Sequence, residues 1–166
     1  MHIVVAAAGK HGATTEIAEA IATELVHRGL TAEVTEPAAV TEVEPYDAVV
    51  LGSSVYLGRW QDSAKGMVDR LWPELSKRPV WLFSSGPVGD PPKPTEESPD
   101  VAALVTATGA REHRVFAGRI DKANLSFGER AVVAALRAPV GDSRDWDEIK
   151  TWAGSIADAL GATPHA

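Results

Sequence analysis

The chain has 166 residues, of which 45% are hydrophobic and 23% charged, enough for a buried core and unlike a disordered or low-complexity chain. A net charge of -7 argues against nucleic acid, whose phosphates are met by clustered Lys and Arg, and the absence of cysteine removes disulfides, thiolate metal sites and cysteine redox chemistry. Residues 1–8 lack the charged region and cleavage site of a signal peptide, and no apolar run nears membrane-spanning length, so a cytoplasmic protein with no transmembrane segment is expected.

Ile3 to Ala8 is an apolar run opening on β-branched residues, a buried strand that breaks at Gly9. A short polar loop leads into a helix with Ile17, Ala18, Ile21, Ala22, Leu25 and Val26 on one face. Thr31–Thr35 reads as a half-buried strand and Asp47–Gly52 as a fully buried one. The next helix carries Ala64, Met67, Val68, Leu71 and Trp72 at helical spacing and is expected to stop near Pro73. Pro79–Ser84 is a fourth strand, followed by a polar, proline-rich loop from Gly86 to Pro94. Ser98 should cap a helix with Pro99 in its first turn and Val101, Leu104, Val105 and Thr108 on one face. Arg114–Ala117 is the fifth strand. The last helix starts at Asp145, with Glu148 placed for a capping box, and buries Trp146, Ile149, Ala153, Ile156 and Leu160.

Strands alternating with helices predict an α/β protein, a doubly wound five-stranded parallel sheet of order 2-1-3-4-5 between two helix layers. The expectation is one domain over residues 1–166 with a tail at 161–166. About 27 residues, Gly118 to Arg144, join the fifth strand to the last helix, far more than the fold needs. Within them Ser126-Phe127-Gly128-Glu129 reads as a capping box opening a short helix through Val132, Val133 and Leu136.

A strand that turns tightly into a helix offers unpaired N–H groups to an anion, and Gly9-Lys10-His11-Gly12-Ala13-Thr14 lies at such a turn. It is no nucleoside triphosphate loop, because Lys10 precedes Gly12. Gly9 and Gly12 alone do not make a dinucleotide fingerprint, and the first strand ends without the acidic residues of a phosphoacceptor site. Two further loops reach the same carboxyl edge of the sheet. Gly52 to Trp60, with Ser53, Ser54, Val55, Tyr56 and Gly58, combines hydroxyls, glycines and two aromatics. Ser84 to Asp90, with Ser85, Gly86, Pro87, Val88 and Gly89, adds backbone donors. One anion cradle beside two loops suited to a flat ring describes a mononucleotide cofactor, and FMN fits best. Tyr56 and Trp60 are candidates to stack on the ring, whereas Trp72, Trp81, Trp146 and Trp152 lie in patterns that read as core or half-buried packing.

Lys10-His11-Gly12-Ala13-Thr14 before Glu16-Ile17-Ala18, Gly52-Ser53-Ser54-Val55-Tyr56 and Gly86-Pro87 resemble the flavodoxin-domain family over nearly the whole chain. Within that family the sequence is most similar to the bacterial branch that includes menaquinone-dependent protoporphyrinogen dehydrogenase. The resemblance implies an FMN-dependent oxidoreductase exchanging electrons with a quinone, a porphyrinogen or a redox-partner protein. The alternatives are an FMN electron carrier without its own substrate and a flavin-free domain. The family's phosphate loop usually reads Ser/Thr-x-x-Gly-x-Ser/Thr. Gly12 and Thr14 match it, while Gly9 and Ala13 stand where hydroxyl residues are expected. Glu16 would repel a phosphate nearby. Arg111, Arg114, Arg119 and Lys122 concentrate positive charge near the fifth strand, against either an anionic substrate or plain solvent. The histidines show no metal-ligand spacing, and no Ser/His/Asp order suited to nucleophilic catalysis is visible.

Overall fold

The structure is a computed structural model describing residues 1–9, 12–56, 59–86, 99–116, 119–120, 141–142 and 145–161. In chain order it contains β1 (His2–Ala8), α1 (Ala13–His27), β2 (Thr31–Thr35), β3 (Ala48–Tyr56), β4 (Arg59–Trp60), α2 (Asp62–Leu75), β5 (Val80–Ser85), α3 (Pro99–Thr108), β6 (Glu112–Phe116), β7 (Arg119–Ile120), β8 (Gly141–Asp142) and α4 (Trp146–Ala159). A 3-10 turn at Pro37–Ala39 lies between β2 and β3.

The long strands lie in the order β2-β1-β3-β5-β6, all parallel, the arrangement expected from the alternating pattern. The fold is flavodoxin-like. Strand periodicity splits the side chains between two faces. Ile3, Val5, Val50, Trp81, Phe83 and Phe116 pack with α1 and α4; Val4, Ala6, Val49, Leu51, Val80 and Leu82 pack with α2 and α3. Burial on both faces explains why the central strands read as continuous apolar runs rather than alternating ones. Ile17, Ile21 and Leu25, each 0% exposed, carry α1 onto the sheet, and each such side chain stabilises the fold by about 1.5–3 kcal/mol.

An aromatic trio closes the far side of the α1/α4 layer. Phe83, Phe116 and Trp152 meet with ring centroids 5.4–6.1 Å apart in tilted and edge-on pairs. Helix α4 begins as expected, with the Asp145 carboxylate accepting from the Glu148 N–H at 3.0 Å.

Several sequence expectations change. Strand β3 runs on to Tyr56 and turns back as β4, pairing Val55 with Trp60 and Tyr56 with Arg59, a hairpin that the apolar run alone did not reveal. Helix α2 ends at Leu75, near Pro73 as expected, with the proline inside its last turn. A proline this near the end removes one intrahelical bond at most, and the final turn tolerates that loss. Trp72 is 52% exposed rather than packed, because Met67, Val68 and Leu75 take the inward face of α2. The expected Ser98 cap and the helix through Val132 lie outside the described residues. Of the long connection, the described part is the antiparallel pair Arg119–Asp142 and Ile120–Gly141. Among the described residues no helix is long and apolar enough to cross a membrane, and no group of acidic, His or Cys side chains forms a metal cluster.

Candidate functional site

Parallel pairing brings Ala8, Ser53 and Ser84 abreast, then Ser54 and Ser85, at the carboxyl edge of the sheet. Strand β1 lies between β2 and β3, and the chain leaves it toward α1 beside the point where strand order reverses. Open α/β sheets bind ligands there.

On the β1 side the loop expected to cradle an anion is described at Gly9 and from Gly12 onward. Gly12 caps α1 with φ 84°, a left-handed conformation that glycine adopts without strain. Gly12 brings no side chain to cap the helix. Nothing lies within 4 Å of where a Cβ on Gly12 would stand. The departure at Gly9 has a steric cause: a Cβ there would lie 2.9 Å from the Cβ of Thr14 and 3.0 Å from its hydroxyl. Thr14 folds inward over Gly9 and is 1% exposed. A hydroxyl residue at position 9 would push Thr14 out of the loop, so the missing side chain belongs to the packing. Lys10 and His11 lie outside the described residues.

The β3 hairpin is different, because most of its polar groups are already paired. Ser53 is fully buried; its hydroxyl donates to the Ser54 carbonyl at 2.9 Å and accepts from the Gln61 N–H at 2.8 Å. Ser54 accepts from Gln61 Nε2 at 3.2 Å. Val55 is half-buried beside Trp60, and Tyr56 ends β3 with its backbone paired to Arg59; its ring lies outside the described side chains. The expectation that Trp60 stacks on a ring ligand fails. Trp60 is 2% exposed, and its indole Nε1 donates to Ser84 Oγ at 2.9 Å. Gly52 is also no approach point for a ligand. A Cβ there would enter the Phe83 ring at 2.1 Å, so this glycine exists to admit a core aromatic.

Behind Trp60 the structure makes a contact that linear order concealed. Ser84 Oγ lies 2.7 Å from His113 Nε2, a Ser–His pair brought together by β5 and β6. Ser84 is 2% exposed and held by the indole, so the pair ties strands together and is no nucleophile for an outside substrate. At the start of α3, the Asp100 carboxylate accepts from Arg59 Nε at 3.0 Å, from Arg59 Nη2 at 2.9 Å and from the Trp60 N–H at 3.1 Å. Lys65 Nζ approaches it at 3.5 Å. The Arg59 hydrogen bond, helped by the Trp60 N–H and the charges of Lys65 and Arg59, holds the Asp100 carboxyl below the usual carboxylate range against the opposing effect of burial.

On β5, Ser85 is 4% exposed, and Gly86 turns with φ 82° while donating its N–H to the Phe116 carbonyl at 2.8 Å. Pro87, Val88 and Gly89 lie outside the described residues. The expected basic patch divides. Arg114 pairs with Glu112 at 3.1 Å, and Arg111 stands over the Trp81 ring, 5.2 Å from its centroid, near the amino end of β6. Lys122 is outside the described residues.

A family model described as a flavodoxin domain matches residues 4–147. The chain belongs to the flavodoxin-domain family. Its fold is that of solved flavodoxins. One from the domain Archaea aligns with TM-score 0.67 and 16% identity over 97% of this chain and 99% of that one. Oxidised flavodoxin 1 from Bacillus cereus gives 0.64 and 15% over 95% and 98%. Rubredoxin oxygen:oxidoreductase from the anaerobe Desulfovibrio gigas gives 0.65 and 17%, covering 96% of this chain but 36% of that enzyme. No functionally curated protein matches the sequence. Family and neighbours together support an FMN-binding electron-transfer protein.

Proposed function

We propose that this flavodoxin domain binds FMN at the carboxyl edge of its sheet and works as an oxidoreductase, exchanging electrons with a quinone, a porphyrinogen or a redox-partner protein. The observation that carries the reading is the start of α1, a helix N-terminus at the carboxyl end of β1 where a left-handed Gly12 brings no capping side chain and leaves its Cβ position open. Those features fit a phosphate monoester. The amides of the first turn of α1 at Thr14 and Thr15 and the Thr14 hydroxyl would hold it, with Gly9, Lys10, His11, Gly12 and Ala13 forming the loop around it. The ring would lie between the two loops that follow β3 and β5. There Ser54, Val55, Tyr56, Ser85 and the segment Pro87–Gly89 would contact it, Ser53 and Gly86 serving chiefly to shape the turns.

FMN, when bound, supplies the electron or hydride chemistry, and the protein supplies binding, orientation and exclusion of water. No side chain of the described edge is placed as a general acid or base. The quinone- or porphyrinogen-linked reading rests on sequence resemblance and on the long connection between β6 and α4. A connection drawn together at its ends by β7 and β8 suits a substrate-covering element. The carrier reading is favoured by the flavodoxins that match this chain over nearly their full length.

The purified chain should show a flavin spectrum or bind added FMN saturably. No saturable binding would leave only the flavin-free alternative. With FMN bound, protoporphyrinogen oxidation coupled to a quinone acceptor identifies the enzyme. Electron exchange with proteins and no turnover of that substrate identifies the carrier.

A further inference from the structure

We propose that Asp100 is a positioning residue of the ring-binding half of this site, a single carboxylate that fastens the hairpin after β3 to the returning end of the connection after β5. The proposal rests on the FMN reading above.

The connection after β5 departs at Gly86, whose N–H is fixed to Phe116, and re-enters the described structure at Pro99, one residue before Asp100. The hairpin after β3 returns through Arg59 and Trp60. Both returning segments therefore meet at Asp100. Its Oδ2 takes Arg59 Nε and the Trp60 N–H, and its Oδ1 takes Arg59 Nη2, a two-pronged grip with little freedom of angle. The Asp100 side chain is 13% exposed and that of Arg59 59%, so the acid is the anchored partner and the arginine closes over it. Lys65, on the first turn of α2, braces the same carboxylate. Trp60 keeps a second hold through Ser84, which in turn meets His113. Loss of Asp100 therefore leaves the tryptophan in the core while freeing the outer part of the hairpin. The described partners of Asp100, namely Arg59, Trp60 and Lys65, belong to the β3 hairpin and to α2 rather than to the first turn of α1. The expected consequence is confined to the flavin ring.

The test uses the full chain, Asp100→Asn, and three probes: FMN, riboflavin (the ring without phosphate) and inorganic phosphate as competitor. Asp100→Asn should weaken FMN and riboflavin by a similar factor, about tenfold, and alter the visible circular dichroism of bound flavin. Phosphate competition on the wild type and the variant should give the same phosphate affinity. The exchange Arg59→Asp with Asp100→Arg should recover part of the lost affinity and of the dichroism. Unchanged ring affinity and dichroism in Asp100→Asn would overturn the proposal. So would equal loss of ring and phosphate binding with a matching fall in Tm and no recovery in the exchanged pair, which is the signature of general unfolding. A wild-type chain that binds neither FMN nor riboflavin removes the FMN reading and this proposal with it. A defect seen only in the variant bears on Asp100 alone.

Discussion

The two halves of the carboxyl edge look alike as sequence and differ as structure. The β1 side and the β3 side each offer glycines and hydroxyls at the end of an apolar strand. On the β1 side Gly12 turns left-handed and brings no side chain to cap α1. On the β3 side Ser53, Gln61, Trp60, Ser84 and Asp100 satisfy one another. The same residue types stand at both ends, bound into a side-chain network on the β3 side and gathered about a helix N-terminus on the β1 side.

The largest effect that would break this contrast is expected at Gly52. Gly52→Ala drives a methyl into the Phe83 ring and so disturbs Phe116 and Trp152, and should cost about 3 kcal/mol or more in denaturant unfolding. Ser53→Ala leaves the Gln61 N–H without its acceptor inside the hairpin and should cost about 1–3 kcal/mol by the same measurement. If it changed FMN affinity and not stability, the hydroxyl would be a ligand and the contrast would be lost. Thr14→Val keeps the shape packed on Gly9 while removing the hydroxyl. By titration it should weaken FMN at least about tenfold with little change in Tm, as expected for loss of a hydrogen bond to a charged group. Unchanged affinity would assign the phosphate to backbone amides alone.

The smallest expected effect is on acid stability. The folded-state pKa of Asp100 is lowered, so its contribution is fully present above the unfolded value of 3.8 and is lost as pH falls from there through the folded pKa. Asp100→Asn should accordingly flatten the acid limb of the stability–pH curve below about pH 4 and leave its shape at neutral pH unaltered.

Much of the fold was legible because its signals are local. Unbroken apolar runs at Ile3–Ala8, around Val49–Leu51 and around Val80–Phe83 announce strands buried on two faces, and the helices show their inward stripes. The Asp145–Glu148 cap was also readable, since both residues lie within one turn. The β3–β4 hairpin was not, because Ser53 to Trp60 has no alternation to mark a strand and its pairing depends on contacts with Ser84 and Asp100, 24 and 40 residues from Trp60. Trp60 read as a candidate to stack on a ring for the same reason. Arg111 and Arg114 read as one cluster because adjacency in sequence says nothing of where their partners lie.

The sequence by itself determined the layered architecture, the order of the parallel strands and the glycine-bearing strand-to-helix turn after β1. Each follows from periodicity, glycine placement and the handedness of crossovers, which act over a few residues at a time. Tertiary structure decided which polar groups at that edge stay available. Gly9 makes room for Thr14, Gly52 for Phe83, and Asp100 reaches Arg59 across 41 residues. Whether a hydroxyl binds a ligand or a neighbouring chain is settled by what stands opposite it, and only folding brings those neighbours together.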